Sequence, residues 1–298
     1  MIKNKALTFT VVFRANSLNY GEGTQNISEL KKFHRGNGEA YSFASRQSIR
    51  YDIVRLGNQF YEWNLDVVDK SKGVVQFKDD CTIKDSVEMD LFGYMKTKAK
   101  EGATKRSAVC RLSHAISLEP YKSDLEFLNN MGLAARINED PNLATLEQHI
   151  SLYTYTITID LSKVGKDLDI ELDQVEKAER VKQLLEVTKF LNREIRGRQE
   201  NLAPLFVIGG AYNIPNPFFL GRVSLLNENP GQINIDLLSD SLNQSVFGQN
   251  IKDQTKIGLV RGTFKNESEF SSLADVVSIE AFYQYLLEQV DDFYGVSV

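Results

Sequence analysis

The sequence has few of the side chains that build disulfides and metal sites. Its 298 residues include two cysteines, Cys81 and Cys110, and three histidines, His34, His114 and His149. Two cysteines do not make a disulfide framework, and a structural zinc site needs four ligands at close spacing. No histidine stands at metal-ligand spacing from another histidine or a cysteine. We therefore predict two reduced thiols, no metal site and no cofactor.

Signatures of catalysis are also scarce. The glycine pair around Glu22 matches neither the dinucleotide-binding fingerprint nor a phosphate-binding P-loop. No nucleophile-elbow motif is present, and no two carboxylates stand out as an acid–base couple. His114 lies on the apolar side of an alternating segment, which is typical of a histidine in the core. Composition alone leaves a Ser-His-Asp triad open, but no motif of catalysis supports one, and we predict a protein that is not an enzyme.

Long apolar runs are missing as well. A membrane-spanning helix needs about eighteen consecutive apolar residues, and the sequence has no such run. The first five residues are not followed by a signal-peptide core, so we expect a cytoplasmic protein without membrane contact. Apolar residues make up 42% of the chain and charged residues 25%, which is ordinary for a globular protein and excludes a disordered or fibrous one.

Positive charge is concentrated in three segments although the net charge is −5. Each of the segments 31–55, 96–111 and 180–198 holds six basic residues, counting lysine and arginine together. After Lys265 the charged residues are all acidic. Such segregation can place one positive groove on an acidic body. The alternative for any single segment is a solvated face of the protein.

Hydrophobic periodicity indicates alternating strands and amphipathic helices. Strict alternation predicts half-buried strands, and a repeat of three and four residues predicts helices. We expect Ser42 to cap the first helix, which Gly57 ends. The predicted strands are 6–14, 107–118, 151–161, 202–208 and 256–264, with a hairpin of 221–226 and 232–238; the predicted helices are 42–57, 175–195 and 273–293.

This order of elements predicts an α+β fold with an antiparallel sheet. Strand, helix, two strands, helix and strand is the order of a ferredoxin-like or RNA-recognition-motif-like core. A doubly wound parallel sheet would need more regular alternation and is the weaker interpretation. We expect one domain over residues 1–298, with insertions at 58–105, at 121–150 as a loop with a short helix, and at 209–235.

One constellation of residues has the chemistry to bind phosphate. A cationic loop at 31–36 precedes a helix whose first turns carry Ser45, Arg46, Gln47 and Arg50. Helix N-termini present free N–H groups to phosphate, and nearby hydroxyl and amide side chains bond phosphate and sugar oxygens. Such contacts hold a nucleic-acid backbone without reading its bases.

Residues in the same segments resemble a known family. N-I-S-E-L-K-K at 26–32, R-G-N-G at 35–38 and Y-S-F-A-S-R-Q-S-I-R at 41–50 are similar to the DevR-type backbone subunits of type I-B CRISPR surveillance (Cascade) complexes. These subunits form the "seven" family of CRISPR-associated proteins. D-L-F-G-Y-M at 90–95 and S-L-E-P-Y at 117–121 also resemble later blocks of that family. The match covers the first 120 residues, and beyond them it depends on the order of the elements.

The resemblance implies a modified RNA-recognition-motif palm, with fingers and web from insertions 58–105 and 121–150. A β-hairpin thumb reaches the neighbouring copy and displaces a base, and we expect it within 209–235, with apolar wedge residues. The alternative for those residues is ordinary loop packing. The expected thumb residues are Ile214, Phe218 and Phe219. The expected RNA-binding residues are Asn26, Lys31, Lys32, His34, Arg35, Ser45, Arg46, Gln47, Arg50, Lys96, Lys98, Lys105 and Arg106.

The resemblance also implies the partners. Copies of the chain would stack head to tail along one CRISPR RNA, whose bases pair with target DNA and supply the specificity. Other expected partners are the large subunit, the five-family cap subunit and the six-family repeat endonuclease of the complex. Two alternatives stay open, namely a related backbone subunit that cuts target RNA and an RNA-free, self-assembling or regulatory ferredoxin-like protein. The RNA-cutting relatives use an early-loop aspartate, and this chain has no aspartate before Asp52.

Overall fold

The computed structural model describes residues 4–23, 26–70, 73–98, 102–226 and 229–296. Within these ranges the chain forms six α-helices and twenty-four β-strands, several of them only two residues long. The helices are α1 (Arg46–Tyr61), α2 (Val87–Phe92), α3 (Met131–Ala134), α4 (Gln174–Lys189), α5 (Ile235–Leu242) and α6 (Ile279–Tyr294). The strands are β1 (Ala6–Asn16), β2 (Ile27–Ser28), β3 (Lys32–His34), β4 (Ala40–Ala44), β5 (Val68–Asp69), β6 (Gln76–Phe77), β7 (Tyr94–Lys98), β8 (Gly102–Arg106), β9 (Cys110–Leu112), β10 (Ala115–Ser117), β11 (Asp124–Asn129), β12 (Leu143–Gln148), β13 (Ile150–Asp160), β14 (Lys166–Asp167), β15 (Ile170–Glu171), β16 (Asn192–Ile195), β17 (Arg198–Asn201), β18 (Phe206–Tyr212), β19 (Leu225–Leu226), β20 (Asn229–Ile233), β21 (Ser245–Val246), β22 (Gln249–Asn250), β23 (Thr255–Leu259) and β24 (Asp275–Val277).

A nine-stranded sheet organises the fold. Its strand order is β24–β23–β18–β1–β13–β10–β4–β3, and β9 also pairs with β13. β1 runs antiparallel to β13 along its whole length, from Ala6 opposite Asp160 to Asn16 opposite Ile150. β18 pairs antiparallel with the other edge of β1. The predicted α+β class with an antiparallel sheet is confirmed.

The chain order of the central elements is β1, α1, β9 and β10, β13, α4, β18. The two helices therefore connect strands that are not neighbours, and the strands meet in the order β18–β1–β13–β10. Only β23 and β24 are parallel in the described part of this sheet. The alternative of a doubly wound parallel sheet is therefore wrong.

Apolar side chains cover both faces of the sheet. Leu7, Phe9, Val11 and Phe13 share one face of β1 and pack in a core cluster with residues of α1, α4 and α6. Val12 points to the opposite face, into a second core cluster built largely from the segment after β18. Burial of apolar area on this scale supplies most of the driving force for folding.

Strand β1 was expected to be half-buried, and that expectation is wrong. Thr8 and Thr10, on its polar side, are also buried. Their hydroxyls bond those of Thr158 and Thr156 on β13, at 3.3 and 2.7 Å. Buried hydroxyls need such partners, and the paired threonines therefore let a second layer cover the polar side.

The first helix begins later than expected. Ser45 rather than Ser42 is its N-cap, and the helix continues beyond Gly57 to Tyr61. Ser42 lies on β4, where its buried hydroxyl bonds Nδ1 of His149 at 2.7 Å and the hydroxyl of Tyr153 at 2.8 Å. Pairing of β4 with β10 holds Ser42 in a strand, and tertiary pairing therefore decides between two possible capping serines.

Other boundaries also differ from the prediction. The predicted strand at 107–118 is two short strands, β9 and β10. The helix predicted at 175–195 ends at Lys189, since the chain then turns into the β16–β17 hairpin. The strand predicted at 202–208 is displaced to β18, and the second half of the predicted hairpin at 232–238 is largely helix α5.

Candidate nucleic-acid interface

Ser45 caps the start of α1, and the first turn of the helix is exposed to solvent. The Oγ of Ser45 accepts a hydrogen bond from the backbone N–H of Ser48 at 3.2 Å, and Ser48 Oγ donates to the carbonyl of Ser45 at 2.8 Å. This capping satisfies one of the free N–H groups that every helix start carries. Arg46 and Gln47, in the first turn, are exposed.

A groove of about 510 Å³ lies beside this helix start. Three arginines contribute to its wall, Arg46 and Arg50 from α1 and Arg111 from β9. Among the described residues, no carboxylate lines it. The groove therefore offers guanidinium groups in a concave surface, the arrangement that binds phosphate oxygens. The complete lining is Arg46, Gln47, Arg50, Phe92, Ala108, Cys110, Arg111 and Leu112.

The two helix arginines in the groove differ in their partners. Arg50 is held by Glu88, with Nη2 to Oε1 at 2.5 Å, and its guanidinium lies 5.3 Å from the centre of the Phe92 ring. Arg46 is exposed, and no ion-pair or ring partner holds its guanidinium in the part of the chain that the structure describes. Arg46 is therefore free to bind an anion, whereas Arg50 is oriented by the protein.

Two groups near the groove, the half-buried His114 and the buried Cys110, are chemically quiet. His114 accepts a hydrogen bond at Nδ1 from the backbone N–H of Arg46 at 3.1 Å, so its ring is neutral with the proton on Nε2. Burial, with help from the charge of Arg46, lowers the pKa of His114. Burial also raises the pKa of the Cys110 thiol. Neither group is activated as a base or a nucleophile.

The cationic segment 31–36, which was predicted as a loop, contains the edge strand β3 and has both free and engaged side chains. Lys32 pairs with Glu147 of β12 at 2.6 Å, and the same carboxylate accepts the backbone N–H of Leu30 at 2.7 Å. His34 is exposed, and the exposed Arg35 lies 3.9 Å above the ring of Tyr41. Lys32 therefore braces the start of β3 against β12, and the residues after it face solvent.

Two other expected contacts in this region have backbone roles as well. The carbonyl of the exposed Asn26 accepts the N–H of Thr145 at 2.8 Å. The half-buried Lys31 donates its N–H to the carbonyl of Asn19 at 2.9 Å and accepts that of Phe43 with its own carbonyl. These bonds tie the loop to β4 and β12.

The second basic segment is arranged differently. Lys96 is 6% exposed, and its Nζ donates to the carbonyls of Asp79, at 3.4 Å, and of Cys81. The Arg106 side chain is also 6% exposed and pairs with Asp90 at 2.5 Å. Lys105 is exposed, whereas the side chain of Lys98 lies outside the described residues. Lys96 and Arg106, as placed in this structure, are internal braces and cannot reach a polyanion.

Asp90 is the centre of this internal arrangement. Its fully buried carboxylate accepts from Arg106, from Arg180 of α4 at 3.0 Å and from the backbone N–H of Gly165 at 3.0 Å. Arg106 also donates to the carbonyls of Lys163, at 3.1 Å, and Lys166. One carboxylate thus joins the β7–β8 hairpin, α4 and the loop after β13.

The segment expected to supply an apolar wedge is packed against the protein. Phe219 is fully buried in the second core cluster. Phe218 is half-buried, with its ring centre 4.8 Å from that of the buried Tyr212, and Ile214 is half-buried. Phe219 therefore follows the alternative prediction, ordinary loop packing. Of the three expected thumb residues, only Ile214 and Phe218 have exposed edges that could contact a base.

Sequence reasoning missed a more exposed apolar element in 121–150. β11 and β12 form an antiparallel hairpin, with α3 at its tip, and all six residues of β11 are exposed. We call residues 124–148 the arm. Its alternating Asp-Leu-Glu-Phe start is the signal that could have identified a strand. Large apolar side chains on it are exposed by 54 to 72%: Leu125, Phe127, Met131, Leu133, Ile137 and Leu143.

Comparisons with known proteins agree with this architecture. The sequence matches the family "CRISPR-associated negative auto-regulator DevR/Csa2" over residues 7–227, and the chain belongs to that family. The predicted family membership is thereby confirmed.

Solved structures share the fold. A chain of a "CRISPR RNA-guided surveillance complex" is 12% identical, with a TM-score of 0.60 over 98% of this chain and 100% of that one. A chain of a "CRISPR RNA-guided surveillance complex, pre-nicking" is also 12% identical, with a TM-score of 0.58 over 94% and 99%. No curated protein sequence matches the chain.

None of the helices in the described ranges is long and apolar enough to cross a membrane. Nor do three or more histidine, cysteine, aspartate or glutamate side chains come together there as a possible metal site.

Proposed function

We propose that the chain is a backbone subunit of a type I-B CRISPR surveillance complex. It grips the guide RNA by its phosphodiester backbone and repeats head to tail along it. The observation that carries this proposal is the groove with Arg46, Arg50 and Arg111 at the capped start of α1. Family membership and the shared fold support the same function.

In this proposal the central sheet is the palm of a single domain over residues 1–298. The order β18–β1–β13–β10, with α1 and α4 as the two crossing helices, supports a palm of the RNA-recognition-motif kind. Insertion 58–105 supplies the fingers. Unlike a typical RNA-recognition motif, this palm presents its helix start and edge loop to the RNA, because a second core cluster covers much of the sheet face.

We divide the expected RNA-binding residues into two groups by their present partners. Direct contacts come from side chains that are exposed or partly exposed: Asn26, Lys31, His34, Arg35, Arg46, Gln47 and Lys105, to which we add Arg111. Positioning comes from residues with strong internal partners: Lys32, Ser45, Arg50, Lys96 and Arg106. Lys98 stays a candidate for direct contact.

We place the thumb in the arm rather than in 209–235. The arm is a β-hairpin with an exposed apolar surface. A thumb that reaches a neighbouring copy and separates bases needs such a surface. Exposed apolar area of this extent marks an interaction site. Residues 209–212 belong to the buried strand β18, and Phe219, Val223 and Ile233 pack in the second core cluster, so these parts of the region 209–235 are fixed to the palm.

The remaining partners follow from the role in the complex. Guide bases that the backbone leaves free pair with target DNA. The large subunit, the five-family cap subunit and the six-family repeat endonuclease bind the same guide. We propose that the chain itself is not catalytic, because its early loop offers only Glu22, Glu29 and Glu39 as carboxylates.

The first experiment is size-exclusion chromatography of the chain co-expressed with a matching CRISPR array. Absorbance at two wavelengths gives the nucleic-acid content, with and without ribonuclease. A large, nucleic-acid-rich species that ribonuclease breaks down supports the proposal. A large species without RNA supports the self-assembling alternative, and a monomer free of RNA contradicts RNA retention by the chain alone.

A second experiment tests the absence of catalysis. Guide-bound protein is incubated with complementary RNA and divalent metal ions. We expect the complementary RNA to stay intact. Metal-dependent cleavage that disappears in Glu22→Ala, Glu29→Ala or Glu39→Ala would instead identify the RNA-cutting alternative.

A further inference from the structure

The edge of the large sheet presents alternating cationic and aromatic side chains. β3 is the outermost strand, and it pairs with β4 so that Phe33 lies opposite Tyr41. Because successive side chains of a strand point to opposite faces, Lys31, Phe33 and Arg35 share one face. Lys32 points to the other face, where it pairs with Glu147.

The aromatic rings on this face form a stacked surface. The ring centres of Phe33 and Phe43 are 3.9 Å apart, with planes inclined by 10°. The ring of His114 meets Phe33 and Phe43 edge-on, at 5.7 and 5.3 Å. Phe33 remains 39% exposed although Phe43 packs against it. We call Phe33, Phe43 and His114 the aromatic platform.

Cations surround the platform on both sides. Arg35 stacks on the neighbouring Tyr41 at 3.9 Å from the ring centre, and Lys31 flanks Phe33 along the strand. His114 joins the platform to the arginine groove, because its Nδ1 accepts the backbone N–H of Arg46 at 3.1 Å. A strand of nucleic acid whose phosphate lies at Arg46 therefore has an aromatic surface beside it.

The platform lies on a part of the sheet face that the second core leaves open. Phe43 pairs with Ile116, Ile116 with Thr154, and Thr154 with Val12, so these residues share a face. Val12 is buried in the second core cluster at the other end of that face. The platform therefore lies at the open end of this face. On the same face, the central strands β1 and β13 carry buried threonines.

We propose that the aromatic platform stacks one unpaired base of the guide RNA. Proteins that hold single-stranded nucleic acid combine a cationic groove with aromatic side chains on which bases stack, independent of base identity. A protein partner fits less well, because the exposed apolar surface of the platform is little more than the ring of Phe33. That ring lies among three cations, those of Lys31, Arg35 and Arg46. This inference rests on the proposed function and adds a base contact to its backbone contacts.

The test compares Phe33→Leu with Phe33→Tyr. Leucine keeps an apolar cover over Phe43, whereas tyrosine keeps an aromatic ring. Binding is measured with an end-labelled single-stranded RNA and with an abasic ribose-phosphate oligomer of the same length. We expect Phe33→Leu to weaken RNA binding about 5- to 150-fold and Phe33→Tyr to bind like the wild type.

Two further results separate stacking from charge. Binding of the abasic oligomer should be equal for the wild type and Phe33→Leu, and the salt dependence should be unchanged, because no cation is removed. Arg35→Ala is the matched variant, and it should lower the slope of binding against salt by about 1. Equal RNA affinity of the wild type and Phe33→Leu would overturn the platform and leave the proposed function standing.

A spectroscopic readout covers the case in which Phe33→Leu folds poorly. Phe33→Trp places an indole in the platform, and the single native tryptophan, Trp63, is buried and gives a constant background. RNA should quench the emission of the new indole, and the abasic oligomer should not. Binding of RNA without quenching would overturn the platform, whereas a wild type that binds no RNA at all would overturn the proposed function with it.

Discussion

Two basic segments that look alike in the sequence hold some of their cations differently in the structure, although Lys105 and Arg111 of the second segment are exposed like Arg35 and Arg46 of the first. In the segment 31–50, Arg35 and Arg46 face solvent, and Arg46 borders an open groove. In the segment 96–111, Lys96 and Arg106 are almost completely buried. Clusters of cations thus serve either as a charged surface or as internal braces, and their density along the chain does not distinguish the two.

The difference lies in the acceptors that surround each segment. Lys96 and Arg106 meet main-chain carbonyls and the buried Asp90. Around the start of α1, Glu88 and Glu147 each engage one cation, Arg50 and Lys32, and Arg46 has no such acceptor among the described residues. Buried cations require paired acceptors. The acceptors of Lys96 and Arg106 lie between 15 and 60 residues away along the chain and are brought to them by folding.

The largest effect is expected from Asp90→Ala, which removes the centre of the braced segment. The guanidinium of Arg106 would stay buried without its main carboxylate, and that of Arg180 would keep only the carboxylate of Glu176 among its described ion-pair partners. Breaking a buried ion pair on one side costs roughly 3–5 kcal/mol of the free energy of unfolding. Urea denaturation measures the loss.

Lys105→Ala is the control for that prediction, because Lys105 lies beside Arg106 but is exposed. Its unfolding free energy should stay within about 0.5 kcal/mol of the wild type. If Asp90→Ala were as mild as this control, the description of the segment as internally braced would be wrong.

Arg46→Ala tests the solvent-facing segment. Because Arg46 has no ion-pair partner among the described residues, the free energy of unfolding of this variant should be almost unchanged. RNA affinity should fall, and its slope against salt should decrease by about 1, because one phosphate contact is lost. Filter binding at several salt concentrations measures both.

Arg50→Ala serves as the contrast to Arg46→Ala. It leaves the partly buried Glu88 without its partner, so stability should fall together with affinity. The comparison fails if Arg46→Ala destabilises the protein as much as Arg50→Ala does.

The arm should affect assembly without affecting the fold. Phe127 is 72% exposed, so Phe127→Ser removes little buried area, and the unfolding free energy should change by less than about 0.5 kcal/mol. Assembly on RNA, measured by sedimentation, should nevertheless be lost. Phe219→Ser is the counterpart, because this ring is buried and its loss should unfold the protein before it affects assembly.

The smallest effect is expected from pH. Burial lowers the pKa of both His114 and His149 below the ordinary value of 6.5. The folded state then binds fewer protons than the unfolded state, so stability is highest above pH 6.5 and declines as the pH falls through the lowered values. Urea midpoints measured on both sides of that value check the decline.

His149→Gln should flatten that pH dependence, because it removes the more deeply buried ring. Asp52 acts in the opposite direction at lower pH. Burial raises the pKa of Asp52, although the charges of Arg193 and Arg55 lower it in part. The contribution of Asp52 to stability therefore falls as the pH rises through its raised pKa. A decline in His149→Gln as steep as in the wild type would contradict the assignment to His149.

The sequence predicts the sheet better than it predicts the functional surface. Alternation over 6–14 and 151–161 identifies β1 and β13, because the core imposes a strict period on their side chains. It is weak for the arm, where alternation ends after Phe127 and the apolar residues face solvent instead of a core. Local patterns likewise predict that Arg46 is exposed but not that Lys96 is buried, since the carbonyls that bind Lys96 are known only after folding.

The pairing of β1 with β13 and β18 also sets when the protein can fold during synthesis. The partners of β1 lie roughly 140 to 200 residues further along the chain. At about 5–20 residues per second, the ribosome needs tens of seconds or less to deliver β18. Both faces of β1 are buried in the final structure. Until β13 and β18 have been synthesised, β1 lacks both of its neighbouring strands. Chaperone binding to the nascent chain is therefore expected at the very strand that later lies in the middle of the sheet.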